Sequence, residues 1–177
     1  MKPTIALCAA SLAMACTAAV WAQGGGPTDP QIAAIVVTAN QVDIDAGKLA
    51  ASRAQSGDVR AFGQRMVIDH GSVIKSAQEL AQKLHVTPEP NATSESFQTG
   101  GNENLAALKK LSGDAFDKAY IDHEVSYHEA ALRALDKTLI PSAQNAELKA
   151  LLVKVRPAFE AHLEHARKVQ SELAKSG

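Results

Sequence analysis

The sequence predicts an all-α protein, a four-helix bundle made of two antiparallel hairpins. Three observations lead to this fold class. Apolar residues recur every three or four positions over four long segments, the period of a helix that buries one face. Short connections containing Gly or Pro separate the segments within each pair, and a longer one separates the two pairs. Strand-like alternation is missing, and aromatic residues make up only 4% of the 177 residues.

The first hairpin is predicted between residues 30 and 84. Asp29-Pro30 is a typical helix start, with a proline in the first turn. Ser56-Gly57-Asp58 ends the first helix and caps the second. The first apolar stripe consists of Ile32, Ile35, Ala39, Val42, Ala46 and Leu49. The second consists of Val59, Phe62, Met66, His70, Val73, Ala77, Leu80 and Leu84.

The second hairpin follows a long connection. Residues 86–102 are predicted to be irregular, because Pro88 and Pro90 lie among polar residues there, and a short helix is predicted over residues 103–111. The third helix starts at Asp114 and is predicted to break at Pro141, and its stripe is Ile121, Val125, His128, Leu132, Leu135 and Leu139. The fourth helix is predicted over residues 145–173, with a kink or a loosened turn at Pro157. Two hairpins joined by a long crossover are the ferritin-like form of the four-helix bundle.

The amino terminus predicts export. Residues 1–22 combine Lys2, an apolar stretch and a small-x-small cleavage site ending at Ala22, which is typical of a secretory signal peptide. The predicted mature protein is then periplasmic, with a flexible leader over residues 23–29 and one helical domain over residues 30–174. Lipid anchoring at Cys16 is the alternative, although Ala13 stands where a lipobox usually has Leu.

Composition excludes several classes of function. The formal net charge of −1 gives no electrostatic reason to expect nucleic acid or anionic lipid as a partner. Both cysteines, Cys8 and Cys16, fall in the predicted signal peptide, so the mature domain has no thiolate metal site and no disulfide. The mature chain has no predicted membrane span. Nucleophile motifs, phosphate loops and cofactor fingerprints are missing from the sequence, so no particular enzyme activity is predicted.

Three histidines occupy positions of the apolar stripes. His70, His128 and His162 lie on the predicted second, third and fourth helices. The remaining histidines are expected at a helix end (His85), on an outward face (His123) and on a flank (His165). On the first helix, Asp43 shares its edge with Val36 and Ala50 and is expected to be half-buried, whereas Asp45 is expected to face water.

The distances of these residues from the turns predict their levels along the bundle. Asp43 lies 14 residues before Gly57 and His70 lies 13 after it, so the two should face each other. His128 lies 14 residues before Ser142 but His162 lies 20 after it. That offset corresponds to about 9 Å along a helix, unless the fourth helix starts late or turns irregularly near Pro157. Glu124, one turn before His128, is nearer to the level of His162.

Imidazoles and carboxylates that converge in a helical core suit a transition metal such as Zn, Cu or Fe. The Glu-x-x-His pattern of di-iron proteins is missing, because Val67, Val125 and Phe159 stand three residues before the three histidines. The sequence therefore favours one ion bound by His70, His128, His162 and Asp43, with Glu124 as a further ligand. The alternative interpretation is a network of neutral, structural histidines bonded to Asp43, Glu124 or Tyr120, with Asp69 as a solvated residue beside it.

Four motifs resemble a known family. They are "ANQVDIDAGKLA", "FGQRMVIDH", "GDAFDKAYIDHEVSYH" and "RPAFEAHLEHA", one on each long helix. In this order and spacing they resemble the exported bacterial family called domain of unknown function 4142, over about residues 30–174. The resemblance implies an exported, ferritin-like helical bundle. The positions that match the family's recurring polar residues are Asp43 (usually Glu), His70, Asp117, Tyr120, His128 and His162.

Two functions follow as expectations, and a metal-dependent oxidase or hydrolase is a third alternative, conditional on the metal, that no specific motif supports. The first is a periplasmic bundle that binds a transition metal in its core. The second is a non-catalytic module of the cell envelope, active in partner interaction or stress, whose histidines are structural and whose crossover (residues 86–102) contacts an unidentified envelope partner.

Overall fold

The computed structural model describes residues 25–176, and every regular element in that range is helical. The elements are α1 (Asp29–Arg53), α2 (Gly57–Lys83), α3 (Ala92–Leu108), α4 (Gly113–Ala134), a π-helical turn (Leu135–Leu139), the single turn α5 (Ile140–Ser142) and α6 (Ala146–Ser176). The predicted signal peptide, with Cys8 and Cys16, lies outside the described residues. Within them, each helix is too short or too polar to cross a membrane.

Helices α1 and α2 form a hairpin. Ser56 caps α2 as the sequence predicts, but the N-cap of α1 is Thr28 rather than Asp29, which is already helical. The Thr28 side chain accepts a hydrogen bond from the Gln31 N–H, and the Gln31 side chain accepts one from the Thr28 N–H. In the turn, the buried carboxylate of Asp117 on α4 accepts the N–H groups of Gln55 (3.0 Å) and Ser56 (2.6 Å). Asp117 therefore fastens this turn to α4.

The crossover differs from the prediction. It is a 17-residue helix, α3, that starts at Ala92 and packs mainly along α1, rather than an irregular segment followed by a short helix over residues 103–111. The two prolines prevent regular structure only as far as Pro90. Asn91 then caps the new helix, because its side chain accepts the Ser94 N–H at 2.9 Å while the Ser94 hydroxyl accepts the Asn91 N–H.

The second hairpin corrects the predicted level of its histidines. The helix does not break at Pro141 but continues to Ser142. A π-helical turn precedes the proline and already interrupts the regular hydrogen bonds of the helix, so the N–H that proline lacks is not needed there. Three side-chain pairs join α4 and the π-helical turn to α6, and their midpoints fall at residues 146–148: Asp136–Arg156, Glu129–Arg167 and Asp122–Gln170. His128 and His162 each lie 17 residues from residue 145, so they face each other. Helix α6 continues through Pro157.

The apolar core consists of two clusters with a polar layer between them. One cluster surrounds Phe62, Phe116 and Tyr120, and the other surrounds Ile35 and Leu152. Along α1, α2, α4 and α6 the change from one cluster to the other comes at the polar layer, whose buried members are Asn40, Asp43, His70, Glu124, His128 and His162. Apolar packing above and below therefore encloses these groups.

Candidate metal centre

The six side chains of the polar layer are fully enclosed. Each is at most 3% exposed, although every one carries a polar or ionisable group. They come from four helices: Asn40 and Asp43 from α1, His70 from α2, Glu124 and His128 from α4, and His162 from α6. Burying such groups is costly unless they are bonded or charged in complementary ways. Their hydrogen bonds therefore indicate what the layer can hold.

The tautomer of His70 is fixed by Asn40. The Asn40 Nδ2 donates to the Val36 carbonyl at 2.7 Å, so its Oδ1 is the atom that faces His70. This oxygen can only accept, and it lies 2.7 Å from His70 Nδ1, which must therefore donate. In the neutral ring, Nε2 then carries a lone pair, and it lies 3.0 Å from Asp43 Oδ2. A lone pair that faces a carboxylate is repulsive unless a cation or a proton lies between them.

His128 repeats this arrangement from the opposite side. Its Nδ1 lies 2.9 Å from the backbone carbonyl of Glu124, which can only accept. The Nε2 lone pair therefore faces Asp43, at 3.6 Å from Oδ2, and has no hydrogen-bond partner. Two ligand atoms on one tetrahedral ion with bonds of 2.0–2.1 Å are about 3.3 Å apart. The separations of Asp43 Oδ2 from the two imidazole nitrogens are close to that value.

His162 supplies the third inward nitrogen. Its Nε2 lies 2.8 Å from Asp69 Oδ2, an oxygen that also accepts from Arg65 Nε at 3.2 Å. A carboxylate that pairs with arginine is an acceptor, so His162 Nε2 donates. Its Nδ1 is buried and without a hydrogen-bond partner. All three histidines thus bond outward through one nitrogen and leave the other free.

The free donors are close enough to share an ion. One ring nitrogen each of His70, His128 and His162 lies within 4.8 Å of the other two. The same limit joins atoms of Asp43, Glu124 and His128. The ring centroids of the three histidines are 5.2–5.6 Å apart. An outer group that fixes the orientation of each imidazole is the usual arrangement around a protein-bound metal.

Burial and charge separate the two carboxyl groups. Burial raises the pKa of Asp43, but positive charge on the neighbouring imidazoles, foremost at His70, outweighs burial and lowers this pKa to about 2. Burial raises the pKa of Glu124 well above its usual value, and the adjacent Asp43 raises it further. The layer therefore contains one ionised carboxylate and one neutral carboxylic acid.

Burial disfavours the charged form of two of the three imidazoles, those of His162 and His128. Burial lowers the pKa of His162 to about 4, although the hydrogen bond that His162 donates to Asp69 opposes this shift. Burial also lowers the pKa of His128. On the side of the second cluster, the ring of Phe159 lies 5.0 Å from the ring of His70 and 5.9 Å from that of His128. Neutral imidazoles are the form that binds a metal.

The five residues predicted as ligands, Asp43, His70, Glu124, His128 and His162, all lie in this layer. Two features of their surroundings differ from expectation. Asp69 is partly exposed, as expected of a flank residue, but it also pairs with His162. Asp43 is buried rather than half-buried.

Sequence reasoning missed Asn40, although its place one turn before Asp43 on the buried edge was a usable signal. His123 does not simply point outward: its ring stacks on that of Tyr127, with centroids 5.8 Å apart, in a groove between α3 and α4.

A family model described as "Domain of unknown function (DUF4142)" matches residues 14–169. The chain belongs to this family. The match includes all six residues of the polar layer. Searches of the curated proteins and of the solved structures found no match to this DUF4142 chain.

Proposed function

We propose that this DUF4142 protein binds one transition-metal ion in the core of a ferritin-like four-helix bundle exported to the periplasm. The ligands are His70 Nε2, His128 Nε2, His162 Nδ1 and the Asp43 carboxylate, with Glu124 as a further ligand. Zn, Cu and Fe are the metals that suit imidazole and carboxylate donors.

One observation carries this proposal. Each histidine uses one nitrogen as a donor to a fixed acceptor, and the other nitrogen is buried without a hydrogen bond. For His70 and His128, that nitrogen faces the ionised carboxylate of Asp43. Lone pairs that converge on a buried negative charge are unfavourable alone and become favourable around a cation. A divalent ion supplies that charge.

The geometry supports one ion rather than two. His128 belongs to both groups of neighbouring donors. Its Nδ1 is occupied by the Glu124 carbonyl, so only Nε2 is free to bind a metal. The two groups of donors therefore share His128 Nε2 and surround the same ion. Asp43, a member of the second group, also lies 3.0 Å from His70 of the first and neutralises part of the ion's charge.

The bundle and its location are part of the proposal. Helices α1 and α2 form one antiparallel pair, α4 and α6 the other, and α3 serves as the crossover. The donors come from all four helices of these pairs, as in metal centres of bundle cores. Export rests on the signal-like character of residues 1–22.

The test is metal content. The full-length chain is expressed, and the mature, untagged protein is purified from the periplasm for elemental analysis, before and after reconstitution with Zn, Cu or Fe. We expect about one equivalent of metal per chain in wild type, and far less in His70→Ala and His128→Ala. His85→Ala is the matched control, because His85 is exposed at the end of α2. A folded protein that takes up none of the three metals would contradict the proposal.

A second candidate has one observation in its favour. A proton on His70 Nε2 would also satisfy the 3.0 Å contact with Asp43, giving a structural ion pair in a module that contacts an envelope partner. NMR of the metal-free protein would distinguish the two, since an imidazolium at His70 shows protons on both ring nitrogens. A metal-free protein with that signature and no uptake supports this candidate.

A further inference from the structure

The donors of the proposed centre are sealed from solvent, so an ion needs a route to reach them. Asp43, His70, Glu124, His128 and His162 are each at most 2% exposed. Of the outer partners of the imidazoles, Asn40 is buried in α1 and the Glu124 carbonyl is buried in α4. Asp69 differs, because 37% of its side chain is exposed.

His162 is therefore the imidazole that connects a partly exposed group to the buried donors. Its Nε2 faces outward to Asp69, at the seam between α2 and α6, and its Nδ1 is buried. Both nitrogens of His70 face buried groups, Asn40 and Asp43. Those of His128 face the buried Glu124 and Asp43.

We propose that the ion enters and leaves through this seam, with Asp69 as a cation-binding group on the solvent side and His162 as the ligand that transfers the ion inward. This inference rests on the proposed function. The Asp69 carboxylate binds the incoming cation, and its hydrogen bond to His162 breaks. The imidazole turns so that Nδ1 takes the ion and then turns back, and Nε2–H bonds Asp69 again. The ring keeps the same proton throughout.

Arg65 controls the availability of Asp69. Its Nε lies 3.2 Å from the same Oδ2 that accepts from His162, and its side chain is 47% exposed. An incoming cation must displace this guanidinium from the carboxylate. Arg65 contacts none of the proposed ligands, so it affects how fast the ion passes rather than how tightly it is finally held.

The chain contains a matched arrangement that does not reach a histidine. Lys118 pairs with Asp122 on α4, and Asp122 accepts from Gln170 of α6 at 2.7 Å. The order is the same as in Arg65, Asp69 and His162: a cation, a carboxylate four residues later, and a polar residue of α6. Asp122 is 39% exposed, close to the 37% of Asp69. Substitutions there change the same charges without touching the proposed route.

The experiment measures zinc transfer to and from the full mature protein by stopped flow with a chromogenic chelator, and Kd by competition. In Arg65→Gln, we expect uptake and release both to be about three to ten times faster, with Kd within about threefold of wild type. In Asp69→Asn, whose amide oxygen still accepts from His162, both rates should fall about tenfold. A group that acts only on the route changes the uptake and release rate constants by the same factor and leaves Kd, which is their ratio, unchanged.

Lys118→Gln and Asp122→Asn should keep wild-type rates. Zinc uptake with unchanged rates in both Arg65→Gln and Asp69→Asn overturns the route and leaves the proposed centre in place. Equal changes in the α4 controls also overturn it, because the effect would then come from charge alone. A wild type that takes up no zinc removes the centre and the route together.

Discussion

Asp43 Oδ2 lies 3.0 Å from Nε2 of His70, a nitrogen that must carry a lone pair in the neutral ring because Nδ1 donates to Asn40. The two side chains come from adjacent antiparallel helices and are both buried. This contact is favourable only when positive charge lies between the two atoms. Either a bound cation or a proton on His70 Nε2 supplies that charge.

Replacing Asp43 by Asn tests the carboxylate directly. The amide keeps the shape of the side chain but removes the negative charge at the centre of the layer. Loss of an outer partner usually weakens metal binding about 10- to 100-fold, so loss of this ligand should weaken zinc affinity by more than about 100-fold. Asp45→Asn, two residues along α1 and facing Gln41 and Lys48, is the control and should bind as wild type. Equal affinities in all three proteins would exclude Asp43 as a ligand.

Glu124→Gln should change stability in a pH-dependent way in the metal-free protein. Burial, with the nearby charge of Asp43, raises the folded-state pKa of Glu124 well above its usual value. The folded state therefore holds this proton more tightly than the unfolded state, and wild type loses stability as pH rises above about 4.5. Gln imitates the neutral acid and avoids this loss. Urea unfolding should show a stability gain for the variant that grows from pH 4.5 to pH 8, and a constant difference would contradict the prediction.

Acid should destabilise the metal-free protein through His162. Its pKa is about 4 when folded, against 6.5 as the ordinary value, so between these pH values the unfolded state binds a proton that the folded state does not. Stability therefore falls as pH falls through this window, by on the order of 3 kcal/mol. His162→Gln should lack this part of the pH dependence. If its unfolding curves shift with pH as much as those of wild type, His162 does not carry the effect.

The close approach of α1 and α2 should make Gly63 intolerant of a side chain. A Cβ there would lie 2.8 Å from the Gly47 carbonyl oxygen and 2.9 Å from the Ala50 Cβ. Gly63→Ala should thus cost about 1–3 kcal/mol. Gly71 on the same helix has no atom within 4 Å of such a Cβ, so Gly71→Ala should stabilise the helix by about 0.5–1 kcal/mol. Urea denaturation measures the change in the free energy of unfolding for each variant. If the two changes have the same sign, α1 and α2 can move apart without an energetic cost.

Much of the layer was predictable because helical periodicity and distance from a turn are local properties. The positions of His70, His128 and His162 in apolar stripes predicted that they face inward. The nearly equal distances of Asp43 and His70 from Gly57 predicted their contact, since a three-residue connection leaves little freedom in the register. The all-helical class was confirmed for the same reason.

The crossover helix and the second turn were not predictable in this way. Residues 92–108 carry weak helix formers such as Gly100 and Gly101, and α3 packs against α1. At Gly101 a Cβ would overlap the Val42 side chain, so the absence of a side chain permits that contact. The level of His162 likewise depends on a helix that continues past Pro141.

The sequence by itself determined which side chains face the core. The helical period sets which residues of a helix share one face, and this does not depend on the other helices. Only the tertiary structure decided what those side chains bond to. Asp69 is a polar flank residue by its position on α2, and it becomes the partner of His162 because α6 packs beside it. Hydrogen-bond partners on different helices depend on register and rotation between helices, and no local pattern encodes those.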